Sequence, residues 1–560
     1  WNGRSGSRRL TSGCLPATPA TSAVPLDMDT LLAWYSALPL KKKLPGSIVA
    51  AAVARVVLAW VLRKIQNRPP QPLTLPLIGN LYLLPQPGEL PGVHKAMTKL
   101  SKKFGPVMGF WFGSTYTVVL SDWRAAHEAL KVQGDSFAGR FCPPAINIIT
   151  KGRGIALQNN LEEWRKARTA LLRGMTMKRQ GEKTIPIIME EVQSTGKLWF
   201  DMIQAKNGAV DLKIRGHIGR ESLNVYMRKM CDLRFSDALT ETYEDVRVCL
   251  EQIFMRISAG NPADYIPILK LAGKPKVLDE MEHWTERMFK YISKWVQEHK
   301  AVLDPSNPRD FLDEMLITQK ENGLTDVDVE VIMWDVMAGG IDTTATTLEW
   351  LLYIMAEFPE TQKKVQEELE RVVGPDRLPT YEEKDKLPYL NAVILELMRW
   401  KHFAPFGLPH MTLQDTQCLG YNIPKGAQVL INYDAINMDP SAWKDPEKWR
   451  PERFLEEEKD LQNAFFDGEV KKTAESYKYI PFGAGKRMCV GYGLGRVVMW
   501  HKVAYHLHCF NWASSAGKIN IEDEYFGVTV LPTEASLRIT ARPAAKLLKS
   551  VQTTFQGSTL

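Results

Sequence analysis

The stretch Phe482-Gly483-Ala484-Gly485-Lys486-Arg487-Met488-Cys489-Val490-Gly491 decides how this 560-residue chain is read. Glycines at 483, 485 and 491 permit backbone angles that a side chain forbids, so the segment reads as a loop. Cys489 stands inside it, two residues after Arg487. The mostly apolar run 492–510 that follows predicts a buried helix. A thiol at a helix N-terminus meets the positive end of the helix dipole and unpaired backbone N–H groups, and both favour the thiolate. A thiolate is a soft metal ligand, and Arg487 can pair with an anion on the same bound group. A lone cysteine is more often a small buried hydrophobe, so the rest of the chain must decide between the two.

Composition narrows the classes. Hydrophobic residues make up 45% and charged residues 24%, the balance of an ordinary globular protein. The formal charge of +7 is modest for this length. With no basic run interleaved with aromatics it speaks against nucleic acid, and it suits an acidic partner or an anionic membrane surface. The seven cysteines, Cys14, Cys142, Cys231, Cys249, Cys418, Cys489 and Cys509, include no C-x-x-C pair and are odd in number. That pattern fits a reduced set better than a disulfide framework. His501, His506 and His508 cluster beside Cys509 without a tetrahedral zinc spacing.

From its start the chain divides as follows. Residues 1–43 read as an N-terminal extension. Trp1 is not an initiator residue, and the favoured start is Met28, with upstream read-through before it. The alternative is an organelle targeting segment, since Arg4, Arg8 and Arg9 precede any acid. Residues 44–62 are a candidate membrane anchor helix. The run 48–62 is apolar except for Arg55, short of the roughly 20 apolar residues a spanning helix wants, and Arg55 is costly there unless it snorkels. Residues 63–80, with Arg68-Pro69-Pro70-Gln71-Pro72, read as a stiff proline-rich hinge. One large domain over 81–545 and a C-terminal tail over 546–560 complete the division.

Within the domain, 107–120 predicts a β-hairpin turning at Gly113-Ser114. Trp164 and Arg168 lie four apart on a predicted helix, so an indole N–H and a guanidinium share one face as donors for a carboxylate. Thr325 with Asp328 makes a capping box for a helix that runs to about Phe358, where Pro359 stops it. Inside that helix stands Ala338-Gly339-Gly340-Ile341-Asp342-Thr343-Thr344. Two mid-helix glycines cost about 1 kcal/mol each and suit a place where something approaches the backbone. Leu387-Pro388-Tyr389 opens another helix, on which Glu396 and Arg399 face together; Pro451-Glu452-Arg453-Phe454 follows downstream. The segments 420–426 and 429–432 read as short strands with a turn.

Phe482-x-x-Gly485-x-Arg487-x-Cys489-x-Gly491, Gly339-Gly340-x-Asp342-Thr343-Thr344, Trp164-x-x-x-Arg168 and Glu396-x-x-Arg399 with Arg453 stand in the order of one family. The chain resembles the cytochrome P450 family, the haem-thiolate monooxygenases, of eukaryotic microsomal type, over roughly 69–543. The resemblance implies a mainly α fold with small β-sheets, as a single large catalytic domain behind an N-terminal membrane anchor. It implies haem b (iron protoporphyrin IX) with Cys489 as the iron ligand, whose thiolate favours O–O cleavage. Arg487, Trp164, Arg168, Arg140 and His410 would face the haem propionates, and Glu396, Arg399 and Arg453 would form one buried network under the haem. Asp342 and Thr343 would deliver protons to O2. The implied reaction inserts one atom of O2 into a small apolar organic substrate. Electrons would come from NADPH-cytochrome P450 reductase, or from a ferredoxin if residues 1–26 target an organelle. The implied location is the endoplasmic reticulum membrane with the catalytic domain cytosolic. Substrate contacts are expected from 142–149, from the helix face around Trp334 and Ala338, from 404–408 and from 526–530. Gly495 departs from the family, where alanine is more usual. Two other classes remain open: a haem-thiolate isomerase or dehydratase without O2, against which Asp342 and Thr343 stand, and a non-catalytic haem sensor.

Overall fold

Thr325 opens a helix over Asp326–Glu357 in the computed structural model, which describes residues 66–85, 92–175, 177–235, 241–259, 262–467 and 473–551. The Thr325 hydroxyl accepts the Asp328 N–H at 3.3 Å, and the Asp328 carboxylate accepts the Thr325 N–H at 2.8 Å. This is the capping box expected from the sequence, a device that contributes about 1 kcal/mol. At the far end Phe358 N–H closes on Ile354 O at 2.8 Å, and the next helix begins at Pro359. Between these ends the helix is apolar on nearly every side, as a helix through a core must be. It packs against the helices Arg215–Cys231, Lys276–Ala301, Pro388–Trp400 and Tyr492–Cys509. One buried helix therefore carries the glycine pair and Thr343 to the middle of the molecule.

The expected hairpin forms β1 (Val107–Phe112) and β2 (Thr115–Leu120), turning at Gly113-Ser114. With β3 (Gly139–Arg140), β4 (His410–Met411) and β5 (Gln428–Ile431) it makes a sheet of order β1-β2-β5-β4-β3. β2 and β5 run parallel and the other pairs antiparallel. The register sets Arg140 opposite His410, so the end of this sheet joins two of the predicted site residues. Three smaller sheets of two or three strands complete the β structure among the described residues, and the other elements are helices.

The segments 1–43 and 44–62, with their expected extension and anchor, lie outside the described residues, as does 552–560. Among the described residues no helix is long and apolar enough to cross a membrane. The described part of the proline-rich segment does not stand free as a spacer. Gly109 N–H donates to Pro70 O at 2.8 Å, Asn80 donates to Leu73 O at 2.6 Å, and Trp111 N–H donates to Asn80 Oδ1 at 2.9 Å. At the other end the short helix Pro543–Ser550 buries Ala545 and Leu548, so packing continues across 545.

Glu396, Arg399 and Arg453 form one fully buried network. Arg399 holds Glu396 bidentately at 2.7 and 2.8 Å, and Arg453 Nε reaches Glu396 Oε2 at 3.0 Å. The remaining donors go to backbone: Arg399 Nη1 to Asn437 O and Pro446 O, both at 2.8 Å, and Arg453 Nη1 to Lys444 O at 2.7 Å. Removing the carboxylate leaves two buried guanidiniums without a counter-charge. Glu396→Ala is therefore expected to cost about 3–5 kcal/mol, read as a large drop in the urea midpoint. An unchanged midpoint would mean that the network does not hold the fold.

Candidate active site

Gly485 makes the cysteine loop possible: its φ is +69°, and a side chain there would run into the Leu130 carbonyl. Met488 N–H then closes on Gly485 O at 3.2 Å and Cys489 N–H on Phe482 O at 2.9 Å. The helix Tyr492–Cys509 follows, with Gly491 as its cap. Gly495, the departure from the family pattern, leaves room for a ring: an added Cβ would lie 3.3 Å from Phe482. The loop sets Cys489 in the wall of a cavity. The side chain is accessible, but to this cavity and not to open solvent. Burial accordingly pushes its thiol pKa up, while the Gly491 N–H and the charge of Arg168 pull it down by less. The helix terminus alone does not make Cys489 a thiolate, contrary to the sequence expectation, because desolvation outweighs it. Metal binding is what deprotonates such a thiol.

The long helix Asp326–Glu357 forms the opposite wall with Val336, Gly339, Gly340, Thr343 and Thr347. Its two glycines differ in role. Nothing lies within 4 Å of a Cβ added at Gly339, whereas one added at Gly340 would sit 2.5 Å from the Tyr226 ring. One glycine keeps the cavity open; the other admits an aromatic side chain whose hydroxyl shares a 3.1 Å hydrogen bond with Thr344. Thr343 donates its hydroxyl proton to Gly339 O at 2.7 Å, which leaves its oxygen free to accept. Asp342 does not line the cavity. Its carboxylate accepts the Thr529 hydroxyl at 2.8 Å, and burial raises its pKa against the pull of that bond and of Arg215.

A different acid lines the cavity, one that the sequence reading passed over. Asp335 Oδ2 accepts the backbone N–H of Ile155 at 2.6 Å and of Ala156 at 3.1 Å. Burial pushes its pKa up to about 7, above the downward pull of the two N–H groups. The signal was present as a single acid within the apolar run 331–338. Trp334 and Ala338, read as the cavity face, do not line it; Asp335, Val336 and Gly339 do, a shift of one residue in helical phase. Ile155 and Phe403 likewise replace the expected 142–149 and 404–408, and 526–530 contributes no lining residue.

Beside the cysteine, Arg140, Arg168 and Arg487 converge. Arg168 Nη2 donates to Met488 O at 3.0 Å, and Arg140 Nη1 to Leu408 O at 2.6 Å. Arg487 Nε donates to Ala138 O at 2.8 Å, and its other nitrogens to Ile155 O and Gln158 O. The Arg487 guanidinium lies 4.5 Å from the Trp164 ring centroid, and that of Arg168 5.5 Å. Among the described residues none of the three pairs with a carboxylate, and the buried Arg140 Nε has no partner. Burial, with the neighbouring guanidiniums adding to it, pulls the pKa of Arg487 down to about 9 and that of Arg140 to about 10.

His410 sits with them, its Nδ1 2.8 Å from Phe137 O. A carbonyl only accepts, so Nδ1 carries the proton. Burial and the charge of Arg140 hold the ring well below its ordinary pKa, so it is neutral and Nε2 is an acceptor. His410 pairs with Arg140 across the edge of the sheet, in the corner where the sequence reading has it face a propionate. The structure thus gathers Arg140, Trp164, Arg168, His410, Arg487 and Cys489, sets Thr343 across the cavity and turns Asp342 away. The set suits a flat, metal-bearing group with anionic arms: three guanidiniums lack anions, one buried N–H lacks an acceptor, Gly339 leaves its wall open, and a thiol points in.

The two glycines predict opposite effects. Gly339→Ala is expected to stabilise the fold by up to about 1 kcal/mol through helix propensity. Gly340→Ala is expected to cost about 1–3 kcal/mol by overpacking against Tyr226. Urea unfolding of the two variants checks this; equal midpoints would contradict the packing described.

The cytochrome P450 family model matches residues 69–539. The chain is 31% identical over 475 residues to ferruginol synthase of Isodon rubescens, covering 83% of this chain and 92% of that protein. It is 33% identical over 459 residues to cytochrome P450 2E1 of Oryctolagus cuniculus (80% and 87%) and 30% over 486 residues to geraniol 8-hydroxylase of Catharanthus roseus (84% and 93%). A zebra fish cytochrome P450 structure with progesterone superposes with a TM-score of 0.69 at 29% identity, over 80% of this chain and 99% of that one. Matched along most of its length by the family model and by these relatives, the chain belongs to the cytochrome P450 family and is a P450 monooxygenase.

Proposed function

We propose that the cavity holds haem b with Cys489 as the iron ligand, and that the enzyme inserts one atom of O2 into a small apolar substrate. The observation that carries this is the single cavity with Cys489 in one wall and Thr343 in the other, beside three guanidiniums that lack anions. When bound, the haem supplies oxygen activation and the oxidation itself. The chain's own residues do the rest. Arg140, Arg168 and Arg487, with the Trp164 N–H, hold the carboxylate arms, for which the carbonyls now engaged are weaker acceptors. Thr343, donating back to Gly339 O, offers its oxygen to a water and holds a proton source at the cavity wall. Asp342, held by Thr529 and within the field of the partly exposed Arg215, passes protons toward that turn from the solvent side. Ile155, Val336, Phe403 and Phe482 give the cavity its apolar lining, and they exclude water.

Electrons are assigned to NADPH-cytochrome P450 reductase, with a ferredoxin as the alternative. Lys486, on the cysteine loop and partly exposed beside Asp135, supports an acidic partner at that face. Microsomal relatives support a location at the endoplasmic reticulum membrane with the catalytic domain cytosolic.

Cys489→Ala is expected to abolish the red-shifted Soret band of the reduced carbon monoxide complex; an unchanged band would remove Cys489 as the iron ligand. Thr343→Ala is expected to keep that band and lower product formation by roughly 10²-fold, with consumed oxygen released as peroxide. Unaltered product and peroxide yields with reductase would take Thr343 out of proton delivery.

A further inference from the structure

His299 is buried in the last turn of the helix Lys276–Ala301, and its ring meets an oxygen at each nitrogen. Nδ1 lies 2.9 Å from the Trp295 carbonyl one turn back, and Nε2 lies 2.9 Å from Asp310 Oδ2. A carbonyl and a carboxylate only accept. A neutral imidazole carries one N–H, so it satisfies one of these oxygens and turns a lone pair to the other. The imidazolium, with two N–H groups, satisfies both.

Asp310 is itself fixed from the other side. It caps the helix Phe311–Ile317, and its Oδ1 accepts the Asp313 N–H at 2.9 Å. The buried Asp313 is also committed, since Arg309 holds both of its oxygens at 2.7 and 2.8 Å. His299, Asp310 and Asp313 bring ligand atoms within 4.8 Å of one another, but these bonds leave a proton as the cation that fits between the ring and Asp310.

Other charged groups stand around the pair. From the end of the helix Arg215–Cys231 come Asp232, whose charge acts on His299, and Lys229, whose charge acts on Asp310. Lys229 is brought down to about 8 by burial and by Lys183, and burial keeps the Cys231 thiol protonated. On the histidine's own helix Glu298 reaches Lys294, and Lys300 is turned to Asp326 of the long helix. Burial works against a charge on His299, but the bond to Asp310, its charge and the Trp295 carbonyl outweigh burial and the opposing charge of Arg309.

We propose that His299 is an imidazolium in the folded protein, and that its second proton clamps the helix Lys276–Ala301 to the helix Phe311–Ile317 in a joint that opens as pH rises. The two helices are joined by 302–310, most of which is exposed. The proton affinity of the ring is raised by folding. The clamp is therefore complete below the ordinary histidine value of about 6.5 and is lost as pH rises through the higher value of the folded protein. When the proton passes to solvent, a lone pair on Nε2 faces Asp310 Oδ2 and repulsion replaces the bond.

Asp310→Asn tests the proton count. An asparagine at this position keeps one oxygen for the Asp313 N–H and presents an NH2 group to Nε2. A neutral ring then satisfies both neighbours, so the second proton is no longer needed. The measurement is the pH titration of the ring carbon between the two nitrogens, in haem-loaded protein with ¹³C-labelled histidine. Loss of one signal in His299→Gln assigns it; where that variant does not fold, the signal that moves in Asp310→Asn does. In the unaltered protein the His299 midpoint is expected above the ordinary value, and in Asp310→Asn the proton affinity is expected to fall by at least about tenfold. Amide exchange of 302–310, corrected for its intrinsic pH dependence, is expected to quicken by roughly tenfold between pH values on either side of that midpoint. The same correction in Asp310→Asn is expected to leave no such step. A neutral His299 ring at pH 6.5 in the unaltered protein, or a midpoint that Asp310→Asn does not move, overturns the imidazolium. Exchange of 302–310 that ignores the His299 midpoint overturns the joint.

Discussion

Three guanidinium groups share one buried corner with no carboxylate among the described residues to answer them, and much of the site is arranged around that deficit. Arg140 comes from the edge of the five-stranded sheet, Arg168 from the helix Leu161–Met175 and Arg487 from the cysteine loop. Each is met by backbone carbonyls, at Leu408, Met488, Ala138, Ile155 and Gln158. Burial is the main reason that Arg487 and Arg140 fall to about 9 and about 10, and the repulsion, which carbonyl dipoles soften without cancelling, adds to it. The carbonyls involved come from loops on several sides of the corner. The same deficit that invites an anion therefore also fixes the paths of the segments around the cysteine.

The Glu396 network shows what the corner would look like if it served the fold alone. There, too, two guanidiniums are buried, but a carboxylate sits between them and the other donors reach backbone carbonyls. That cluster is closed and leaves little for a ligand to add. The Arg140–Arg168–Arg487 cluster is open, down to one buried N–H without an acceptor. Since an unpaired buried charge is costly and a paired one roughly neutral, the two clusters divide the work. One holds the helix Pro388–Trp400 to the segment around Arg453; the other waits on an anion from outside the chain.

How much of this was legible follows the range of the interactions. The capping box at Thr325, the turn at Gly113-Ser114, the cysteine loop and the Glu396–Arg399 pair are set within a few residues, and each stands as read. Longer-range partners were not legible. Asp342 reads as an acid of proton delivery because Thr343 follows it, but the threonine 187 residues away that holds its carboxylate is not legible there. The tautomer of His410 is fixed by a carbonyl on another segment, which no local pattern shows. Cys489 reads as a thiolate at a helix end, but the protein around it decides its pKa and raises it. The phase of the long helix slipped by one residue because apolar positions surround it and give no face.

Asp335 and Asp342 sharpen the point, because they are the same residue type on nearly the same face of one helix. Seven residues bring a helix back to within about 20° of where it began, so the two carboxyls differ in level and not in direction. At the level of Asp342 the face is covered by the turn before Val530, which supplies one hydroxyl and takes the acid out of the cavity. At the level of Asp335 the cover is a loop that supplies two backbone N–H groups, both to one oxygen. Burial raises both acids, and each has one oxygen without a hydrogen bond among the described residues, but only Asp335 lines the cavity. A wholly apolar ligand pressed against that oxygen would strip its water and return nothing.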